Sequence, residues 1–201
     1  MNDGSKTRKK ALSERPVPTA GLLQVFHRDL LEWFLVHRRD LPWRRNRTPY
    51  RVWISELMLQ QTRVDQVIPY YRRFLKRFPN RRTLANAPLS DVLKLWEGLG
   101  YYSRAVRAQE TARYLMQHAG GRFPRTLDGL RDLPGIGPYT AAAVGSLAMG
   151  LDAAVVDGNV IRVLARVMAY DGDTRRPAVR ARFQAWADEL LPSGRAGEFN
   201  E

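Results

Sequence analysis

The sequence predicts an all-α protein, a bundle of short helices, and three observations carry that prediction. Apolar residues recur at three- and four-residue spacing along most of the chain, the mark of helices with one buried face. The gaps between these runs are short and hold Pro, Gly, Ser and Asp, which start and stop helices. The one strand-like run, Ala153-Ala154-Val155-Val156, is too short to build a sheet.

The elements follow in order. Residues 1–20 are polar and aperiodic and carry Lys6, Arg8, Lys9 and Lys10, so a disordered basic arm is expected there. From Gly21, the spacing of Leu22, Leu23, Phe26, Leu30, Trp33 and Phe34 predicts an amphipathic helix. Arg38 to Tyr50 reads as a basic loop with Pro42 and Pro49. Residues 51–60 are apolar on nearly every side and predict a short buried helix. A helix over 64–78 is expected to break near Pro69, and Ser90 starts another that runs to Trp96. Gly98-Leu99-Gly100-Tyr101-Tyr102 is a turn. The helix after it, 103–118, stops at Gly120-Gly121. A short helix at 126–131, a tight turn at 133–138 and a small-residue helix at 139–149 come next. Helices at 159–169 and 178–190 close the chain, giving eight or nine in one domain over 21–201.

Composition narrows the function. With 44% hydrophobic residues in 201, the chain can bury a core. It has no cysteine, which excludes a disulfide scaffold, a cysteine nucleophile and a thiolate metal or iron–sulfur site held by this chain alone. No stretch approaches 18 uninterrupted apolar residues and no signal region follows the basic N-terminus, so a cytoplasmic, membrane-free protein is expected. The net charge of +13 calls for a polyanionic partner. The charge is also clustered. Residues 66–90 hold Arg72, Arg73, Lys76, Arg77, Arg81 and Arg82 with no acid. Residues 38–51 hold Arg38, Arg39, Arg44, Arg45, Arg47 and Arg51 against Asp40 alone.

Four segments carry candidate chemistry. In Leu133-Pro134-Gly135-Ile136-Gly137-Pro138-Tyr139-Thr140, two glycines permit a bare turn and Pro138 suits the first turn of a helix. The free N–H groups of that helix start would receive a phosphate, which reads nucleic-acid backbone and not sequence. Glu56 stands among Val52, Trp53, Ile54, Leu57, Met58 and Leu59. From this stretch alone a solvent-facing acid is the simpler account. A buried one would hold its proton near neutral pH and could serve as a general acid. Asp157 in Val156-Asp157-Gly158-Asn159 reads most simply as a turn and helix N-cap. It is also placed to be a second, charged carboxylate, and two carboxyls in opposite environments can divide the work of glycosidic cleavage. Finally, Gln61, Tyr101, Tyr102 and Trp43 lie beside arginines, where aromatics can stack on bases or wedge between them.

Taken together, these segments resemble the adenine DNA glycosylases of the MutY type, within the helix-hairpin-helix glycosylase superfamily. The matching stretches are LPWR (41–44), TPYRVWISELMLQQTRVDQVIPYY (48–71), LWEGLGYYSRA (95–105), LPGIGPYTAAAV (133–144), VVDGNVIRVLAR (155–166) and GEFNE (197–201). The resemblance covers about 22–201 and implies the helix-hairpin-helix glycosylase fold. It also implies hydrolysis of the N-glycosidic bond of adenine mispaired with 8-oxoguanine or guanine, in base excision repair, with the base first turned out of the stack.

By the same resemblance, Glu56 is the acid that protonates adenine. Asp157 stabilises the sugar cation, electrostatically or as a transient nucleophile, and Tyr139 and Asn159 support them. Arg44 and Glu201 line the adenine pocket, and Gln61 and Tyr101 insert into the duplex. Gly135, Ile136, Gly137, Tyr139 and Thr140 form the phosphate-binding hairpin, whose carbonyls are a candidate site for an alkali cation. Endonuclease III-like relatives carry a Lys at the Tyr139 position and cleave the strand; with a phenol there, a monofunctional enzyme is expected. Double-stranded DNA with an A:8-oxoguanine or A:G mispair is the expected partner of a monomer, which in a bacterium would be associated with the nucleoid. Two alternatives remain: an endonuclease III-like glycosylase for another base, and a non-catalytic DNA-binding remnant. The family also carries a [4Fe–4S] cluster on four cysteines beyond the Glu201 position, and many members add a second domain. This chain has none of those cysteines. On this reading, domain 21–201 is incomplete at its C-terminus and lacks the iron–sulfur loop region. The first helix then has an exposed apolar face, and stability in isolation is weak.

Overall fold

A computed structural model describes residues 19–201; the N-terminal arm expected over 1–20 lies almost wholly outside the described residues. The described chain is all-helical, in agreement with the sequence. It holds twelve helices: α1 (Ala20–His37), α2 (Pro42–Arg45), α3 (Pro49–Leu59), α4 (Val64–Arg77), α5 (Arg81–Ala85), α6 (Leu89–Trp96), α7 (Ser103–His118), α8 (Leu127–Arg131), α9 (Pro138–Met149), α10 (Gly158–Val167), α11 (Pro177–Leu190) and α12 (Ala196–Phe199). The additions to the expected set are one-turn helices. Two of these starts follow from local chemistry. Pro42 and Pro49 stand at helix first turns, where a missing N–H costs nothing, so the expected basic loop is instead α2 and the start of α3. Asn80 caps α5 by accepting from Thr83 N–H at 3.0 Å.

Pro69 does not break α4, contrary to expectation. The proline and Asp65, whose carbonyl loses its helical partner, both lie on the solvent face, where water can meet the orphan oxygen. The opposite face buries Val67, Tyr71 and Phe74 at helical spacing.

A small cluster of Ala142, Ala143, Ala153 and Val155 joins α9 to the 153–155 run, and two larger hydrophobic cores form. The larger joins α3–α9 around Trp53, Phe74, Phe78, Trp96 and Leu115, with Phe74 edge-on to Phe78 and Trp96 at ring separations of 5.1 and 5.8 Å. The smaller gathers Ile161 and Leu164 of α10 with Phe183, Trp186 and Leu190 of α11. Helix α1 seats Leu23 and Phe26 against it, and His27 Nε2 donates to the Leu190 carbonyl at 2.6 Å. Of the predicted apolar face of α1, Leu22 and Trp33 are exposed, whereas Leu23, Phe26, Leu30 and Phe34 are partly buried.

Helix α9 lies between the cores and is enclosed on most sides, which its small residues make possible. A side chain added at Gly197 of α12 would bring Cβ to 2.8 Å from the Ser146 carbonyl oxygen, so only glycine fits this approach. The run 153–156 forms no strand. Its backbone is tied instead by Asn200, which accepts from Val155 N–H at 3.2 Å and donates to the Ala153 carbonyl at 2.8 Å and to Ser146 Oγ at 2.9 Å. Among the described residues, no helix is long and apolar enough to cross a membrane.

Candidate active site

A cleft of about 1350 Å³ opens between the two cores. One wall comes from α3, the α3–α4 turn, α8 and α9; the other comes from 152–159 and α11. The structure brings Glu56, Gln61, Tyr139, Asp157 and Asn159 together along it.

Glu56 is buried, 9% exposed, so the solvent-facing reading is overturned. The reason is that α3 has no polar face: eight of its 11 residues are buried. The Glu56 carboxylate accepts from Tyr139 Oη at 2.9 Å. Loss of water pushes its pKa up to about 7. The Tyr139 hydroxyl opposes that shift, and the negative charges of Asp157 and Glu201 add to it. Burial and the neighbouring Glu56 raise the Tyr139 phenol in turn, so it stays a donor.

Asp157 is the helix cap that the sequence predicts, and it also borders the cleft. It caps α10, its Oδ1 accepting from Asn159 N–H and Val160 N–H, each at 2.8 Å. It also accepts from Asn159 Nδ2 at 3.0 Å, which fixes its second oxygen. The carboxylate is half-buried and borders the cleft.

Arg44 and Glu201 pair apart from this lining set. Arg44 Nε lies 3.5 Å from Glu201 Oε1, and its Nη2 donates to the Glu201 main-chain oxygen at 3.0 Å. The Arg44 guanidinium also lies over the Phe34 ring, 5.3 Å from its centroid. Burial raises the Glu201 pKa against the pull of the arginines. Sequence reasoning missed two partners here. Arg47 donates to Glu201 Oε2 at 2.8 Å, and Asn200 fixes the segment that leads to Asp157. Asn200 lies in the stretch GEFNE (197–201), where nothing in the sequence singles it out.

The hairpin between α8 and α9 is anchored by the buried Leu133 and Ile136. Gly135 has φ +76°, and an added Cβ would lie 3.2 Å from Arg107 Cβ, so the turn requires glycine. No side chain caps α9, and its first main-chain bond runs from Ala141 N–H to the Gly137 carbonyl. The N–H groups of Tyr139 and Thr140 are therefore left at the helix start. The side chains of Ile136 and Thr140 are buried, so these two residues have only main chain to offer a partner. Tyr101 and Tyr102 are exposed at the 98–102 turn, whereas Trp43 is core, edge-on to Tyr71 at 5.4 Å.

The buried acid has a cost that can be measured. In the folded chain Glu56 keeps its proton up to about pH 7, and the unfolded chain loses it near 4.5. Over that interval the folded state binds more protons, so stability falls as pH rises, by on the order of 3 kcal/mol in full. Glu56→Gln removes this slope. Melting curves at pH 5 and 8 should show a clear loss for wild type and a much smaller one for the variant; equal losses refute the assignment.

Among the described residues, no group of His, Asp and Glu is gathered to hold a metal. With no cysteine, the chain does not fit a thiolate-held iron–sulfur cluster.

Comparison with known proteins gives the family. Residues 54–189 match the family model for the HhH-GPD superfamily base excision DNA repair protein. The chain is 45% identical over 186 residues to the adenine DNA glycosylase of Homo sapiens, covering 88% of this chain and 34% of that one. To the adenine DNA glycosylase of Buchnera aphidicola subsp. Baizongia pistaciae it is 48% identical over 178 residues, covering 88% and 50%. The chain thus spans about a third to a half of the length of these curated relatives. Among solved structures, a thermostable thymine-DNA glycosylase superposes with a TM-score of 0.78 at 33% identity, covering 89% of this chain and 82% of that one. An endonuclease III–DNA covalent intermediate superposes with a TM-score of 0.72 at 22% identity, covering 90% and 82% and supporting the fold alone. The chain belongs to the HhH-GPD superfamily of base excision DNA repair proteins.

Proposed function

We propose that residues 21–201 are the catalytic core of an adenine-specific DNA glycosylase, which hydrolyses the N-glycosidic bond of adenine mispaired with 8-oxoguanine or guanine. The observation that carries this reading is the buried Glu56, bonded to Tyr139 and bordering the same cleft as Asp157. The names of the curated relatives support adenine as the base.

With the nucleotide extruded into the cleft, Glu56 gives its proton to a ring nitrogen of adenine. The bond between base and sugar breaks and its electron pair stays with the base, which leaves neutral. The positive charge left on the sugar is met by the Asp157 carboxylate, aimed by Asn159 and the start of α10. A water then adds to the sugar carbon, and the proton it sheds returns to Glu56. The resemblance assigns Arg44 and Glu201 to the adenine; in this chain they pair with each other beside the cleft lining, and Arg47 holds Glu201. Gln61 and Tyr101 enter the duplex and keep the base out of the stack.

Gly135, Gly137, Tyr139 and Thr140 present backbone N–H groups to a phosphate, with Ile136 anchoring the turn. Of the hairpin carbonyls, those of Leu133, Pro134 and Gly137 each accept one bond within the protein and keep a second lone pair, so any of the hairpin carbonyls could meet an alkali cation. The partner is double-stranded DNA, bound by a monomer, and the charge of +13 supports that choice.

The test is single-turnover base release by this chain on A:8-oxoguanine, A:G and T:G duplexes. Adenine should be released from the first two with the strand left intact, and borohydride should trap no adduct, because a phenol at position 139 cannot form a Schiff base. Release of thymine would move the chain to the specificity named for its structural neighbour. A trapped adduct would make it endonuclease III-like, and binding without release would make it a non-catalytic binder.

A further inference from the structure

Gln61 and Tyr101 share an uncommon feature. Both hold left-handed backbone, with φ of +56° and +49°, a conformation that costs a residue with a side chain about 1–2 kcal/mol. Their turns lie on different segments, after α3 and after α6, yet both converge on one guanidinium.

Arg104 is in the first turn of α7 and is 5% exposed. Its Nη1 donates to the carbonyls of Leu57 at 2.9 Å, Met58 at 3.0 Å and Gln60. Its Nη2 donates to the carbonyls of Leu99 at 3.2 Å and Gly100 at 3.0 Å, and to Thr62 Oγ1 at 3.2 Å. The first set are the carbonyls that end α3, the negative pole of that helix. The second belong to the turn that carries Tyr101 and, through Thr62, to the residue after Gln61. The guanidinium also lies against the rings of Trp96 and Tyr101, 5.6 and 5.4 Å from their centroids.

Nothing local favours this placement. A cation in the first turn of its own helix is at the unfavourable end of the dipole, and burial adds a desolvation cost. What the side chain joins accounts for it.

We propose that Arg104 is a positioning residue that locks the Gln61 and Tyr101 turns into one rigid unit, so that both side chains enter the duplex together beside the extruded nucleotide. This rests on the reading of Gln61 and Tyr101 as inserting residues. Arg104 touches none of the reacting groups. A lysine keeps the charge there, but it lacks the planar fork of five donors that spans both turns.

Two readouts on the full chain test the lock. In the free protein, Arg104→Lys should speed amide hydrogen exchange at both 60–62 and 98–101 by about tenfold or more, with α9 unchanged. On an A:8-oxoguanine duplex with 2-aminopurine beside the target adenine, the fluorescence rise of wild type should fall about tenfold in the variant. Adenine release should fall with it, while the shape of its pH profile stays that of wild type. Faster exchange in only one of the two segments, or a full fluorescence rise, overturns the proposal. Where Arg104→Lys fails to fold, Thr62→Val keeps the shape and removes one acceptor. Faster exchange transmitted to 98–101 supports the lock, and unchanged exchange there overturns it. Wild-type adenine release without any fluorescence rise sinks the proposal and leaves the glycosylase reading intact. Linked exchange without any adenine release sinks the glycosylase reading and leaves the joining of the turns standing.

Discussion

Replacing Glu56 by Gln should slow single-turnover adenine release by roughly 10²–10⁴-fold, the usual contribution of a positioned general acid. The substitution is close to isosteric. The amide oxygen can still accept from Tyr139 Oη, which is 2.9 Å from the carboxylate in the native chain, so the site should keep its shape. What disappears is the ability to deliver a proton. The native rate should therefore fall as pH rises through about 7, where Glu56 loses its proton, and the residual rate of Glu56→Gln should be flat there. Duplex affinity, which the proposal assigns to backbone N–H groups and surface cations, should change little. A variant that releases adenine within tenfold of wild type would remove Glu56 from the reaction.

The same residue shows where sequence reasoning stops. The fold was legible because most helices announce themselves by spacing: Val67, Tyr71 and Phe74 of α4, or Ile161 and Leu164 of α10, fall on one face and are buried as the period predicts. Helix α3 has no such register. With Tyr50, Val52, Trp53, Ile54, Leu57 and Met58 all buried, the pattern cannot assign Glu56 to a side. Its partner Tyr139 is 83 residues away, and the contact between them is a product of α9 packing on α3. Glu201 reaches Arg44 across 157 residues for a similar reason.

Asp157 was legible as a cap because capping is local chemistry within three residues. That it also borders a cleft depends on Asn200 drawing in the segment before it. Pro69 misled because the rule against proline in helices concerns lost hydrogen bonds, and the sequence does not say which bonds face water. Arg104 lay within the matching stretch 95–105 but nothing singled it out, since one more arginine in a chain with 33 basic residues does not stand out. Resemblance to a family supplied the pairing of Glu56 with Asp157 that periodicity could not.

Asp157→Asn should cost roughly 10²–10³-fold in adenine release, about the loss seen when one preorganised electrostatic contact to a transition state is removed. The argument depends on the fold surviving, and the local geometry favours that. Asn is as good an N-cap as Asp, and its carbonyl oxygen can accept from Asn159 N–H and Val160 N–H as Oδ1 does at 2.8 Å. The new amide would face the Asn159 side-chain amide, which donates to Asp157 Oδ2 at 3.0 Å, and a flip of Asn159 would restore an acceptor there. Only the charge is lost. Two consequences then separate a charge role from a packing role. The negative charge of Asp157 helps hold the Glu56 proton, so its removal should move the alkaline fall of the pH–rate profile to lower pH. A packing defect would leave that limb in place and lower the melting temperature instead. A slowed variant with an unshifted profile would therefore count against Asp157 as the charge that faces the sugar, and an unslowed one would exclude it.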